Sequence, residues 1–235
     1  MPTPAAQSFA LAIGLLAALA APAHADEEAL NNYAKVALAS VHPATASGDL
    51  NGPPGTTPPG IKSDAGPTTA LGLIYGRRLS PDWSLELAAG LPPTVKVYGA
   101  GAAAGLGEVG RARVYYPAVV LAYALAGPKA AIRPYVGAGV NYTWFRDARI
   151  SDAYNAAVHA SATSGKLSSG AGAVFKIGAE IALDAHWFAD VVVQRYGIRT
   201  SATLTSDTPG FGPITRTQDL RINPNLFALA IARRF

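Results

Sequence analysis

The alternation of residue types in residues 132–144 constrains the fold of this chain more than any other feature. Every second side chain is apolar, from Ile132 through Val136 and Val140 to Trp144, and the positions between them are mostly small or polar. Successive side chains of a β-strand lie on opposite faces of a sheet, so this pattern predicts a strand with one apolar face. Segments of about ten residues, the length of a tilted membrane-spanning strand, repeat the pattern along the chain.

Eight such segments predict an all-β fold, an antiparallel transmembrane β-barrel. The connections alternate in length, with short turns near residues 80, 127 and 185 and long segments at 42–66, 92–112, 147–168 and 202–218. Short periplasmic turns and long extracellular loops are typical of such barrels. A soluble sandwich or lipocalin-like barrel also explains alternation, but it would bury the charged face. The predicted strands lie within residues 34–41, 71–75, 83–89, 117–123, 132–144, 171–183, 187–194 and 227–235.

The N-terminal 25 residues predict an exported protein. They contain no Asp, Glu, Lys or Arg, are apolar from Phe9 to Ala23, and end in Ala-His-Ala. This is typical of a secretory signal cleaved after Ala25, although its first eight residues lack the usual basic side chain. We therefore expect a signal peptide at residues 1–25 and a single barrel domain at residues 26–235.

Composition argues against several other functions. There is no Cys, and the scattered Lys and Arg give a net charge of only +4, which does not predict nucleic-acid binding. After the signal, His42, His159 and His186 have neither metal-ligand spacing nor a triad-like arrangement. The chain is therefore predicted not to be an enzyme and to have no metal or cofactor. A GxGxxG match at residues 105–110 falls in a predicted outer loop, without the context of a dinucleotide site.

Charged residues on inward-facing positions lie towards the short-turn ends of the predicted strands. Unpaired charge inside a barrel is costly, so these residues predict a paired network that closes the periplasmic end of the lumen. We name this group the charged floor, with predicted members Lys35, Arg78, Glu86, Arg133, Lys176, Glu180, Asp190 and Arg234.

Small and apolar residues occupy the inward positions nearer the long loops. An eight-stranded barrel has an interior wide enough only for side chains or one small ligand. Two interpretations stay open: these residues leave room for an apolar ligand that enters from outside, or they only let the strands coil tightly. The predicted apolar lumen comprises Val41, Ala88, Tyr116, Gly137, Val174 and Leu226.

Aromatic residues at the predicted strand ends share the parity of the apolar face. Amphipathic rings at these positions are typical of the two membrane interfaces. Arg195 also has outward parity, and we expect it near the outer rim. Residues 151–160 predict either a short helix capped by Ser151 or a disordered loop. The predicted interfacial aromatics are Tyr75, Trp83, Tyr123, Tyr142, Trp144, Trp187 and Phe235.

Residues 133–143, RPYVGAGVNYT, closely resemble the RPYVGAGINYT segment of the OmpW family of eight-stranded outer-membrane barrels. Residues 71–92, with Glu86 in step, and residues 223–235 are also similar to that family. The resemblance implies that small hydrophobic molecules bind or pass through an apolar extracellular half with a lateral route into the membrane. Arg233 departs from the aromatic residue usual at that place in the terminal assembly signal, whereas Phe235 is retained.

Two functions follow from the sequence. The first is an outer-membrane barrel that binds or passively passes small hydrophobic molecules. The alternative is a structural or surface-interaction barrel whose loops meet receptor or adhesion partners without transport. The expected partners are outer-membrane lipid, lipopolysaccharide, small hydrophobic molecules and, through the C-terminal strand, the barrel-assembly machinery.

Overall fold

The computed structural model describes residues 31–235 of the chain. The predicted signal peptide and its cleavage point lie outside the described residues. Fifteen strands are present within them, with one short helix, α1 (Asp152–Ala157), and a 3₁₀ turn at Ala104–Leu106. The strands are β1 (Asn32–His42), β2 (Thr45–Ser47), β3 (Ile61–Ala65), β4 (Thr68–Arg78), β5 (Trp83–Leu91), β6 (Thr94–Gly101), β7 (Glu108–Tyr115), β8 (Ala118–Ala124), β9 (Ile132–Ile150), β10 (Ala162–Leu167), β11 (Gly170–Ala182), β12 (Trp187–Tyr196), β13 (Ile198–Thr208), β14 (Gly212–Ile222) and β15 (Asn225–Arg234).

Eight of these strands close into the predicted antiparallel barrel. Their order is β11, β12, β15, β1, β4, β5, β8 and β9, and pairing of β9 with β11 completes the circle. The first and last barrel strands pair over their whole lengths, from Tyr33 opposite Arg234 to His42 opposite Asn225. The predicted eight-stranded barrel is thereby confirmed, and no edge of the circle is left unpaired.

The alternation in sequence becomes an alternation of burial across the barrel wall. In β1 the inward Ala37, Ala39 and Val41 are buried, whereas the outward Leu38 is 57% exposed. In β15, Leu229 is 65% exposed. Bulky apolar side chains therefore face outward, as they do in a barrel whose outer surface meets lipid.

The long connections, predicted as loops, are instead largely folded into strands. Seven of the eight barrel strands continue beyond a short break, and proline lies at the break at Pro43, Pro67, Pro93, Pro117 and Pro224. A proline has no N–H for the sheet ladder, so it separates the two parts of a strand. The alternation had been assigned only up to these breaks, which is why the extensions were missed.

The extensions form two walls above the membrane part of the barrel. One wall is β7, β6 and β3, which extends the barrel sheet from β9, and the other is the separate sheet β10, β13, β14 and β2. Strand β9 crosses from the barrel into the first wall without a break. The short helix of the two alternatives for residues 151–160 is formed, and the Ser151 side chain caps α1 by accepting from the Tyr154 N–H. Within residues 31–235, no helix is long and apolar enough to span a membrane.

Candidate functional site

Lys35 lies at the centre of the charged floor. Its ammonium nitrogen is 2.6 Å from Asp190, 3.1 Å from Glu86 and 3.9 Å from Glu180, and its side chain is almost completely buried. The three carboxylates come from β12, β5 and β11, so one cation on β1 joins four strands across the lumen.

The carboxylates have further partners. Glu86 accepts from the Tyr33 hydroxyl at 2.9 Å and pairs with Lys176. Asp190 accepts from the Tyr135 hydroxyl at 2.9 Å. Buried charges are tolerated when they are paired and hydrogen-bonded in this way.

Glu180 links this network to the periplasmic turns. It lies 3.0 Å from Arg78 and 3.6 Å from Arg133. Arg133 also donates to the backbone carbonyls of Pro81 at 2.6 Å and Ala126 at 3.1 Å. The space left among these residues is about 20 Å³, room for roughly one water molecule, so the periplasmic end is closed.

Arg234 departs from the predicted network. Its guanidinium lies 4.5 Å from the centre of the Phe188 ring, and no ion pair is formed by it within the described residues. Glu180 already pairs with Arg78 and Arg133, so the guanidinium of Arg234 contacts the face of the Phe188 ring instead.

The apolar lumen above the floor is packed rather than open. Val41, Val174 and Leu226 belong to one buried cluster, and Ala88 and Tyr116 pack against it. Gly137 lies between this cluster and the charged floor, because a β-carbon there would lie 3.0 Å from the methylene carbons of Lys176 and 3.1 Å from a methyl group of Val120, a member of the cluster. It lines neither of the two apolar spaces described below.

An apolar cavity lies above this packed layer. A narrow chamber of about 60 Å³ at the rim is lined by Val41, Tyr116 and Leu226 among others, and it leads to a cavity of about 300 Å³ between the two extracellular walls. The two spaces share five lining residues, so they adjoin each other. The shared residues are Ala65, Val97, Ala112, Leu167 and Ile222.

The sequence held a signal for this cavity that was missed. Residues 111–114 alternate charged and apolar side chains, and the structure buries Ala112 and Val114 while Arg111 and Arg113 are exposed. Buried polar residues of the cavity, Arg216 among them, gave no such signal because they lie on the segment assigned to a loop.

The predicted interfacial aromatics lie on the outer surface and mostly in pairs. The rings of Trp83 and Tyr123 are 4.9 Å apart at one short turn, and those of Tyr75 and Phe235 are 6.5 Å apart. At the same end Trp187 lies beneath the Arg233 guanidinium, at 5.9 Å.

The extracellular aromatics do not end their strand as predicted. Tyr142 and Trp144 have rings 6.2 Å apart, and Trp144 stacks on Tyr115 at 5.1 Å. Strand β9 continues past them to Ile150 because it pairs with β7 there. Arg195, expected near the outer rim, is the penultimate residue of β12 and donates to the Asn225 side chain at 3.0 Å.

The comparisons with known proteins agree with this architecture. The OmpW family model matches residues 31–235. The dibenzothiophene metabolism operon protein PahQ of Pseudomonas aeruginosa is 31% identical over 189 residues, which cover 75% of this chain and 76% of that protein. Outer membrane protein W of Vibrio cholerae is 30% identical over 169 residues, 71% of this chain and 74% of that protein.

A solved structure shows the same fold. The crystal structure of the outer membrane protein OprG from Pseudomonas aeruginosa superposes with a TM-score of 0.76 at 25% identity, covering 87% of this chain and 96% of that one. The barrel, the outward apolar face and the match over all described residues lead to one assignment. This chain belongs to the OmpW family and is a protein of the bacterial outer membrane.

Proposed function

We propose that this protein binds small hydrophobic molecules in its extracellular cavity and passes them passively towards the membrane. The observation that carries the proposal is the pair of adjoining spaces, largely apolar in lining, between the two extracellular walls and at the barrel rim. A volume of about 300 Å³ lies at the lower end of the range for small-molecule sites, roughly 300–1,000 Å³.

The charged floor determines where such a molecule can leave. A ligand moving down the lumen meets the buried cluster around Val174 and then the ion pairs of Lys35. An apolar molecule gains nothing by displacing those pairs. An exit sideways into the bilayer, as the family resemblance implies, is therefore part of the proposal.

The name of one relative supports an apolar ligand. PahQ takes its name from an operon of dibenzothiophene metabolism, and dibenzothiophene is a small hydrophobic compound. The same chemistry suits the cavity of this chain.

Blocking the shared part of the route tests the proposal. Ala112→Trp places a large ring where the chamber and the cavity meet, and the uptake of an apolar dye into proteoliposomes is expected to fall to the protein-free rate. Ala171→Trp is the matched control, because Ala171 is exposed on the outer face opposite Tyr142. Unchanged uptake by Ala112→Trp would overturn the conduit.

One observation favours the alternative, a surface-interaction barrel. Phe211 lies at the tip of the β13–β14 hairpin between two glycines with positive φ, and it is 83% exposed. Normal dye uptake by Ala112→Trp, together with loss of cell-surface binding by Phe211→Ser, would support this alternative.

Arginine pairs on the outer surface support lipopolysaccharide as a partner. Six exposed arginines stand directly opposite one another across neighbouring strands above the aromatic residues, although like charges in that arrangement destabilise a sheet. Lipopolysaccharide phosphates would neutralise them. Thermal unfolding in vesicles with and without phosphorylated lipopolysaccharide tests this, and the stabilisation should shrink in Arg199→Ser. The pairs are Arg111 with Arg149, Arg113 with Arg146, and Arg199 with Arg221; of these, Arg113 already forms an exposed ion pair with Asp147 at 3.3 Å.

The terminal strand β15 and Phe235 are proposed to be recognised by the barrel-assembly machinery. The absence of enzymatic activity stays a prediction.

A further inference from the structure

A buried cation without a carboxylate partner lies against the large cavity. Arg216 on β14 is 3% exposed and lines the space of about 300 Å³. Its Nε donates to the Thr57 hydroxyl at 3.2 Å, Nη1 to the Ser206 hydroxyl at 3.2 Å, and Nη2 to the Thr56 carbonyl at 3.1 Å.

All three acceptors of Arg216 are neutral. No Asp or Glu lines the cavity, and Arg216 forms no ion pair within residues 31–235. A guanidinium has five N–H groups, and three of them are used here. A buried charge in this state is costly unless an anion joins it.

A second buried donor lies at the same cavity. Tyr154 on α1 is 7% exposed, and its hydroxyl has no hydrogen-bond partner among the described residues. Burial raises the pKa of Tyr154, so the hydroxyl keeps its proton at neutral pH. The side chains of Arg216 and Ser206 oppose this rise. Tyr154 and Arg216 line the same cavity, and Arg216 donates to Ser206.

We propose that Arg216 and Tyr154 bind the carboxylate of an amphipathic molecule whose apolar body occupies the cavity. This rests on the proposed function and narrows its ligand class to hydrophobic molecules with one anionic group, such as aromatic or medium-chain carboxylic acids. A carboxylate matches the planar fork of a guanidinium. Apolar side chains that include Leu50, Val97 and Leu220 line much of the rest of the space, and Lys62, Lys166 and Gln218 are among its other lining residues.

A purely structural role for Arg216 makes a different prediction. The same side chain attaches the segment of Thr56 and Thr57 to β14, and such a role needs no anion. It predicts equal affinity for charged and neutral ligands of the same shape.

The test compares 2-naphthoate with 2-naphthamide, its neutral isostere, by calorimetry on the barrel in lipid nanodiscs, with empty nanodiscs as the blank. The wild-type protein should bind the acid roughly tenfold more tightly than the amide. In Arg216→Gln the affinity for the acid should fall to that for the amide. Arg77→Gln is the control, because Arg77 is an exposed arginine of β4 beside a periplasmic turn and should change neither affinity.

Tyr154→Phe is a second variant, which keeps the test decisive if Arg216→Gln does not fold. Its hydroxyl has no protein partner, so the fold should be unaffected while the acid affinity falls about fivefold. Equal affinities in the wild type, no binding of either compound, or a preference for the acid that survives in folded Arg216→Gln would each overturn the inference. If these outcomes are found but Ala112→Trp still blocks dye uptake, the carboxylate site fails while the proposed function stands. Failure of the carboxylate site can therefore be told from failure of the proposed function.

Discussion

The two ends of the molecule differ in how their buried charges are partnered. At the periplasmic end Lys35 has three carboxylates within 3.9 Å, and the network leaves about 20 Å³ of space. At the extracellular end Arg216 has only neutral acceptors and borders about 300 Å³. An ion-pair network in which the buried charges have partners closes the barrel. A buried cation without an anionic partner, beside free volume, is suited to binding a ligand.

Removing the central cation of the floor should have the largest effect. Lys35→Met leaves Glu86 and Asp190 buried without their shared partner, and the free energy of unfolding should fall by about 3–5 kcal/mol. Urea unfolding in lipid vesicles measures it. Lys96→Met is the control: Lys96 forms an exposed pair with Glu108, and no measurable change is expected. Equal losses in both variants would contradict the comparison.

The packed layer between the two ends should respond next. Val174 is fully buried in the lumen, so Val174→Ala should cost about 2 kcal/mol of unfolding free energy. Val193 lies on the neighbouring strand with 40% exposure towards lipid, and Val193→Ala should cost less because lipid fills the vacated volume. The same unfolding assay compares the two, and an equal cost would show that the lumen is not packed.

The upper end should show a smaller and local effect. Ser151→Ala removes the cap of α1 and should destabilise that helix by about 1 kcal/mol. Faster hydrogen exchange of the amides in residues 152–158 measures this, and Ser151→Thr, which keeps the hydroxyl, should restore protection. Faster exchange throughout the barrel would contradict independent behaviour of the two ends.

The smallest effect concerns pH at a periplasmic turn. The Asp184 carboxylate accepts from the N–H groups of Trp187 and His186, both at 2.7 Å, and these bonds lower its pKa below 3.8. A lowered pKa in the folded state gives stability that is present above pH 3.8 and is lost as the pH falls through the folded value. The protection of the Trp187 amide, that is its exchange rate relative to an unfolded amide at the same pH, should therefore decrease in acid, and Asp184→Asn should remove that pH dependence.

Alternation and depth were enough to predict the membrane part of the molecule. Each strand of the barrel alternates apolar and small or polar side chains over many residues. An inward charged residue near a short turn, such as Lys35 or Glu180, can contact only the few residues at that end of the lumen. The stacking of Arg234 on Phe188 in place of an ion pair was not predictable. Parity shows which face a residue lies on, but it does not show whether a carboxylate on that face already has a partner.

The extracellular cavity was beyond the same reasoning. Its walls are strands separated from those of the barrel by short breaks, and β2 pairs with the distant β14. Arg216 and Tyr154 lie on a strand and a helix far apart in the chain, so only the folded walls bring them to one space. Local periodicity carries no information about such contacts.

The prolines at the rim have a consequence for how this architecture changes over evolution. They separate the strands of the barrel from the strands of the extracellular walls, so we expect that the hairpins of the walls can be exchanged between homologous chains without altering strand register in the bilayer. Strand β9 is the exception, since its unbroken ladder belongs to both parts. Chimeras that replace residues 43–67 or 197–224 should therefore inherit the ligand preference of the donor, whereas a transplanted β9 must bring its barrel neighbours with it.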